Sequence, residues 1–139
     1  MNKKDTNPKD AIGVMKVPVS TVSAPVIMEM GLGMLEGAAK YGRHNYRIAG
    51  VRASVYYDAA MRHLMAWWEG EDIDPDSGIN HVGKALSCLS VLRDSMFQGN
   101  MKDDRPPRSH PGWIEPMNAK VRAISKKYPK PLPPYTHLP

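Results

Sequence analysis

Residues 53–97, ASVYYDAAMRHLMAWWEGEDIDPDSGINHVGKALSCLSVLRDSMF, decide the fold. Nowhere does this stretch alternate apolar with polar in the period of two that a half-buried strand requires. Its punctuation instead predicts one helix from about Ala53 to Glu69, closed by Gly70, and another from Ile79 to about Phe97, ahead of Gly99. Between them Pro75 and Gly78 keep the acidic stretch out of helix. Upstream, Ser23-Ala24-Pro25 opens a helix that runs through VIMEMGLGMLEGAAKY, residues 26–41, with Ser23 as its N-cap and Gly42 as its stop. RHNYRIAGVR, residues 43–52, reads as a polar connection. NPKDAIGVMKVPVSTVSAP, residues 7–25, is broken by prolines and predicts an extended arm. The class is all-α, with three main helices and no internal repeat.

A chain of 139 residues is long enough for one domain with a modest core. Three helices enclose little volume, and the ten methionines, several at helical spacing on the first two helices, are typical core or interface filler. A helical bundle completed by homo-oligomerisation, as a dimer or tetramer, is the expected architecture. The single cysteine, Cys88, excludes an internal disulfide framework and reads as a structural thiol in an apolar helix. No apolar run has membrane-spanning length, and MNKKDTNPKDAIG lacks a signal-peptide core, so a soluble, cytoplasmic protein is expected with no membrane partner.

The net charge of +5 favours polyanions: nucleic acid, nucleotides and phosphates. It is concentrated in residues 101–139, which hold eight basic side chains against Asp103, Asp104 and Glu115. RPPRSHPGW and YPKPLPPYTHLP leave only Pro116–Tyr128 for a short helix. The expected organisation is a helical domain with an N-terminal arm over 1–100 and a basic, proline-rich extension over 101–139.

Within the helices, Glu29, Gly33, Glu36 and Lys40 fall on one face, a carboxylate stripe with room for a metal or phosphate. Asp58 and Arg62 are an i,i+4 pair beside His63, among aromatic and methionine neighbours. A helix so apolar on every side is expected to be largely buried, and its charges then need partners. The alternation Asp72, Asp74, Asp76 resembles a calcium loop, but Gly78 comes one place late and Gly83 stands where a bidentate glutamate is required. Two readings of the loop remain. Asp76 or Ser77 caps the next helix, or Glu71 and Asp74 join the helix carboxylates around a hard divalent cation.

The strings NPKDAIG with KVP, EGAAKYGRHNYR, and YYDAAMRHLMAWWEGEDIDPDSG followed by His81 resemble the phage-encoded dATP/dGTP diphosphohydrolases (MazZ type). That family is related to the MazG-like all-α NTP pyrophosphatase superfamily. The similarity covers roughly residues 7–97. It implies a MazG-like bundle that cleaves purine deoxynucleoside triphosphates, dGTP and dATP, to monophosphate and pyrophosphate with Mg²⁺ or Mn²⁺. It also implies phage nucleotide metabolism supporting 2-aminoadenine DNA, in an infected bacterial host. The superfamily's helical E-E-x-x-E is absent here in literal form. Glu29 and Glu36 occupy the corresponding helix, Glu71-Asp72-Ile73-Asp74 is the one literal E-x-x-D, and Asp58 is a rival ligand.

For the implied chemistry, a metal held by Glu29, Glu36, Asp58, Glu71 and Asp74 would activate water and neutralise phosphate oxygens. Glu36, Asp58 and His81 are the catalytic candidates. Lys40, Arg43, Arg47 and Arg62 would hold the triphosphate, with Lys9 and Lys16 closing from the arm and His63 beside them. Asn45 and Asn80 can read base or ribose, and Tyr41, Tyr46, Trp67 or Trp68 can stack on a purine. No nucleophilic triad and no P-loop is visible. The competing reading is a small basic nucleic-acid-binding or nucleotide-sensing protein without catalysis. Carboxylates on the helices, which would repel a nucleic-acid backbone, argue against it.

Overall fold

The computed structural model describes residues 7–138. Residues 1–6 and Pro139 lie outside them. Helix α1 (Pro8–Gly13) is followed by a 3-10 turn at Val19–Thr21 and by α2 (Ala24–Tyr41), α3 (Asn45–Ala49), β1 (Val51–Arg52) and α4 (Ala53–Trp68). Then come α5 (His81–Gln98), β2 (Met101–Lys102) and α6 (Ile114–Lys127). The all-α class holds, apart from one two-stranded parallel pairing that sets Val51 against Met101 and Arg52 against Lys102. The chain divides into two compact units, Met1–Arg105 and Pro106–Pro139.

The long helices end where the glycines predict. Gly42 closes α2 at φ 92° and Gly99 closes α5 in the left-handed region at φ 71°, conformations that disfavour side chains with a Cβ. Other expectations fail, among them that residues 43–52 are a plain connection, since they hold α3 and β1. The arm is not wholly extended: Asn7 accepts the Lys9 amide at 2.9 Å and Pro8 sits in the first turn, which together nucleate α1. The cap of α5 is neither Asp76 nor Ser77 but Asn80, whose Oδ1 accepts the Val82 amide at 2.8 Å.

In the first unit, α5 packs between α2 and α4. Alanine, valine and serine fill its contacts: Val51, Ala53, Ala60, Ala85 and Val91 are buried, with Ser87 and Ser95. The α2–α5 approach is close because glycines line it. A Cβ on Gly33 would collide with the Ser87 side chain, and one on Gly83 with the Glu29 carboxylate. Ser87 Oγ uses that proximity to donate to the Met30 carbonyl at 3.0 Å.

The expectation that the second long helix is largely buried is overturned. On α4 only Ala53 and Ala60 are buried, while Tyr57, Met61, Met65 and Trp68 point outward. The residues after α5 also differ from a plain extension. Asp104 binds both the amide and the hydroxyl of Ser54, completing the first turn of α4, so residues 101–105 belong with the first unit. In the second unit α6 is amphipathic, with Ile114, Met117, Val121 and Ile124 exposed on one side. No helix among the described residues is long and apolar enough to cross a membrane.

Candidate functional site

The polar stripe of α2 faces α5. Glu36 lies opposite Lys84 on α5 and accepts from its Nζ at 2.8 Å, and from Lys40 Nζ at 3.3 Å. The Lys84 side chain is only 13% exposed, so its partner is needed to hold the charge there. The Lys84 hydrogen bond keeps the Glu36 carboxyl below its usual value against the opposing effect of burial, and Glu36 in turn raises Lys40. Both shifts favour the charged forms of Glu36 and Lys40.

This triad lines a cavity of about 230 Å³ between α2, the KYGRHNYR turn and α5. Its apolar walls include Met34, Tyr56, Cys88 and Val91, and its rim carries Tyr41, Asn45 and Tyr46. Ligand pockets commonly reach ~300–1,000 Å³, so this one has room for part of a nucleotide rather than all of it. His44, also on its wall, is the one non-glycine residue at positive φ (63°) among the described residues. Backbone held in that region is uncommon and clusters at functional sites. Cys88 is half-buried, and burial raises its thiol, which leaves it protonated and inert.

A second cluster joins α4 to the acidic loop. His81 is 4% exposed and uses both ring nitrogens: Nδ1 meets His63 Nδ1 at 2.8 Å, and Nε2 meets Glu71 Oε1 at 2.7 Å. The loop folds on itself around Asp74, whose carboxylate accepts the Ser77 hydroxyl at 2.8 Å and the Asp76 amide at 3.1 Å. Burial raises Asp74, but these bonds, with His63 and His81 nearby, leave it below its ordinary value. Gly78 at φ 74° and an Ile73–Asn80 bridge close the turn.

The named residues therefore separate. Glu36, Lys40 and Asn45 come together at the cavity, Arg43 lines a smaller adjoining one of about 180 Å³, and His63, Glu71, Asp74 and His81 form the loop cluster. Arg47 is directed away from both: its Nε donates to Asp94 at 2.9 Å, and the same carboxylate accepts Tyr46 Oη at 2.5 Å. These bonds hold the Asp94 carboxyl down at about 2. Asp58 and Arg62 are exposed and make no ion pair among the described residues, and Lys9 and Lys16 are likewise exposed. Trp67 and Trp68 stand beside each other on α4, outside the cavity.

The five carboxylates named as metal ligands do not converge. Among the described residues, no three acids, histidines or cysteines are placed to hold an ion. Mg²⁺, however, is commonly bound by one or two carboxylates plus substrate phosphates, not by an all-protein cage. Glu29 suits that mode. Its carboxylate has no hydrogen-bond partner among the described residues and rests in the cradle that Gly83 leaves on α5.

Sequence reasoning missed Lys84, Tyr56 and Asp94. Lys84 had a signal: it is the single charged side chain between His81 and Arg93 on an otherwise uncharged run, where a lysine needs a partner.

A family model described as dATP/dGTP diphosphohydrolase, N-terminal, matches residues 6–105. The chain is also 28% identical over 90 residues to a dATP/dGTP diphosphohydrolase of Salmonella phage PMBT28. That alignment takes in 65% of this chain and 30% of the relative, so the chain spans under a third of that protein's length. No solved structure matches.

Proposed function

The chain belongs to the dATP/dGTP diphosphohydrolase family, and from that membership we propose that it cleaves dGTP and dATP to the monophosphate and pyrophosphate. The observation that carries the reading is the cavity between α2 and α5, where Lys40 and Lys84 face a single carboxylate, Glu36. Two ammonium groups against one carboxylate suit an anionic phosphate chain. Tyr41 and Tyr56 offer flat faces to a purine, and Asn45 offers donors and an acceptor to its edge. The half-closed apolar wall removes water from the phosphates and strengthens every charge acting on them.

Mg²⁺ or Mn²⁺ is the cofactor we propose, with Glu29, on the same polar stripe of α2 as Glu36 though outside the cavity's lining, as the residue that would hold it. When bound, the ion supplies charge neutralisation and a more acidic water. The lysines restrain the phosphate chain, so that attack and departure at the α-phosphorus lie in line. The wider setting we propose is phage nucleotide metabolism that supports 2-aminoadenine DNA, in the cytoplasm of an infected bacterium, with a MazG-like homo-oligomer as the working form.

The test is product analysis. Purified protein with Mn²⁺ or Mg²⁺ is expected to turn dGTP into dGMP and pyrophosphate, and EDTA to stop it. Release of dGDP and phosphate would refute the reading, as would inertness toward every dNTP.

A further inference from the structure

The cavity holds an unbalanced charge. Among its lining residues the lysines 40 and 84 carry two positive charges and Glu36 carries the only negative one. Lys84 is the more enclosed of the two cations and is the closer to Glu36, at 2.8 Å against 3.3 Å. Glu36 is itself only 23% exposed, so a substrate phosphate cannot approach both lysines without meeting this carboxylate. Like charges at that range in a partly enclosed site repel strongly.

Resting on the nucleotide-hydrolase reading above, we propose that Glu36 is a stand-in for phosphate. It occupies the place between Lys84 and Lys40 that a phosphate group of the substrate takes, and Lys84 is a substrate-binding residue. Entry of the phosphate chain exchanges one ion pair for another. The lysines transfer from carboxylate to phosphate oxygens, each of which offers a lone pair in place of Oε1, and the Glu36 side chain swings clear. Glu36 has the freedom to do so because its neighbour Gly37 on α2 carries no side chain and has open space around its Cβ position. Lysine suits the exchange because its ammonium is a point charge that needs no fixed fork geometry. The exchange also restores neutrality, since a phosphate brings more negative charge than the one carboxylate it displaces.

Opposite signs test the idea. Inorganic tripolyphosphate is titrated calorimetrically into the full chain in EDTA, so that no divalent ion contributes. Glu36→Gln removes the competing charge and is expected to tighten binding about tenfold or more, the effect of one charge-assisted contact. Lys84→Gln is expected to weaken it by a similar factor, and Lys84→Arg to restore most of the loss. If Lys84→Gln fails to fold because Glu36 loses its closer partner and keeps only Lys40, the double variant Glu36→Gln/Lys84→Gln removes both charges. It is expected to fold and to bind more weakly than Glu36→Gln alone. Unchanged or weaker binding by Glu36→Gln would mean that the triad is a structural ion pair, and the proposal falls. Equal binding by the double variant and Glu36→Gln would remove Lys84 from the site. The experiment uses no hydrolysis, so a chain that binds tripolyphosphate in this way yet leaves dGTP intact would fail the functional reading and keep the exchange.

Discussion

His81 makes two hydrogen bonds from a nearly sealed position, and that fixes much about its neighbour. Glu71 can only accept, so His81 Nε2 carries a proton, and where the two Nδ1 atoms of His81 and His63 meet, one donates and the other accepts. Burial, the largest influence, holds His63 below its ordinary 6.5; His81, Lys84 and Arg62 push the same way and Asp74 opposes them. The sign follows from proton counting. Between the lowered folded value and 6.5, the unfolded chain binds the proton and the folded chain does not. Stability should therefore fall as pH drops through 6.5 toward the folded value, and stay level below it. In His63→Asn, whose amide keeps a donor near the Nδ1 position, that part of the slope should vanish. Urea midpoints from pH 5 to 8 for both proteins check this, and parallel curves would mean His63 titrates as it does in the unfolded chain. The individual chemistry of His63, Glu71 and His81 was legible in the sequence, but their mutual contact was not, because it depends on how the acidic loop folds back. Lys84 was hidden for a different reason: in a basic protein one more lysine reads as solvated.

The close contact of α2 with α5 depends on small residues at two points, and one helix contains its own control. Gly33 faces Ser87, whose side chain a methyl group would strike, whereas Gly31 on the same helix has open space around its Cβ position. Alanine is favoured over glycine in a helix interior by about 1 kcal/mol. Forcing an atom into a filled contact costs about 1–3 kcal/mol. Gly31→Ala should therefore stabilise slightly, while Gly33→Ala should destabilise by up to about 2 kcal/mol net. Chemical unfolding at one fixed protein concentration compares them, and equal effects would show that the helices do not approach through Gly33. The long helices were readable because glycine stops and apolar spacing are local. α1, α3 and the β1–β2 pair were not. A two-residue strand has no period to detect, and Val51 finds Met101 only after α5 has returned the chain. The short α3 is held from outside, by Asn100 donating to the Tyr46 and Arg47 carbonyls at 3.0 and 2.7 Å.

For the molecule as a whole, what matters is the mismatch between its core and its surface. Among the described residues, the buried apolar ones are three alanines and two valines, while far larger side chains face outward. On α4, Tyr57, Met61, Met65 and Trp68 recur at intervals of four, four and three, and are 61%, 39%, 61% and 79% exposed. That spacing makes one continuous stripe, which borders the face of α4 that buries Ala53 and Ala60. On α2, Met28, Leu32 and Leu35 form a shorter stripe of the same kind. Fully burying such a side chain contributes about 1.5–3 kcal/mol, and association costs about 4–15 kcal/mol. Two copies that covered their α4 stripes against each other would offset most or all of that cost. The expected outcome is a mass of two or four chains by light scattering, with a melting temperature that rises with protein concentration. Met65→Asp combined with Trp68→Asp places two charges in the stripe and should lower the mass. Neither side chain lines the cavity, so tripolyphosphate binding by any monomer that remains folded would separate assembly from the site. A wild-type chain that stays monomeric, with a melting temperature independent of concentration, would mean that the stripe serves some other partner.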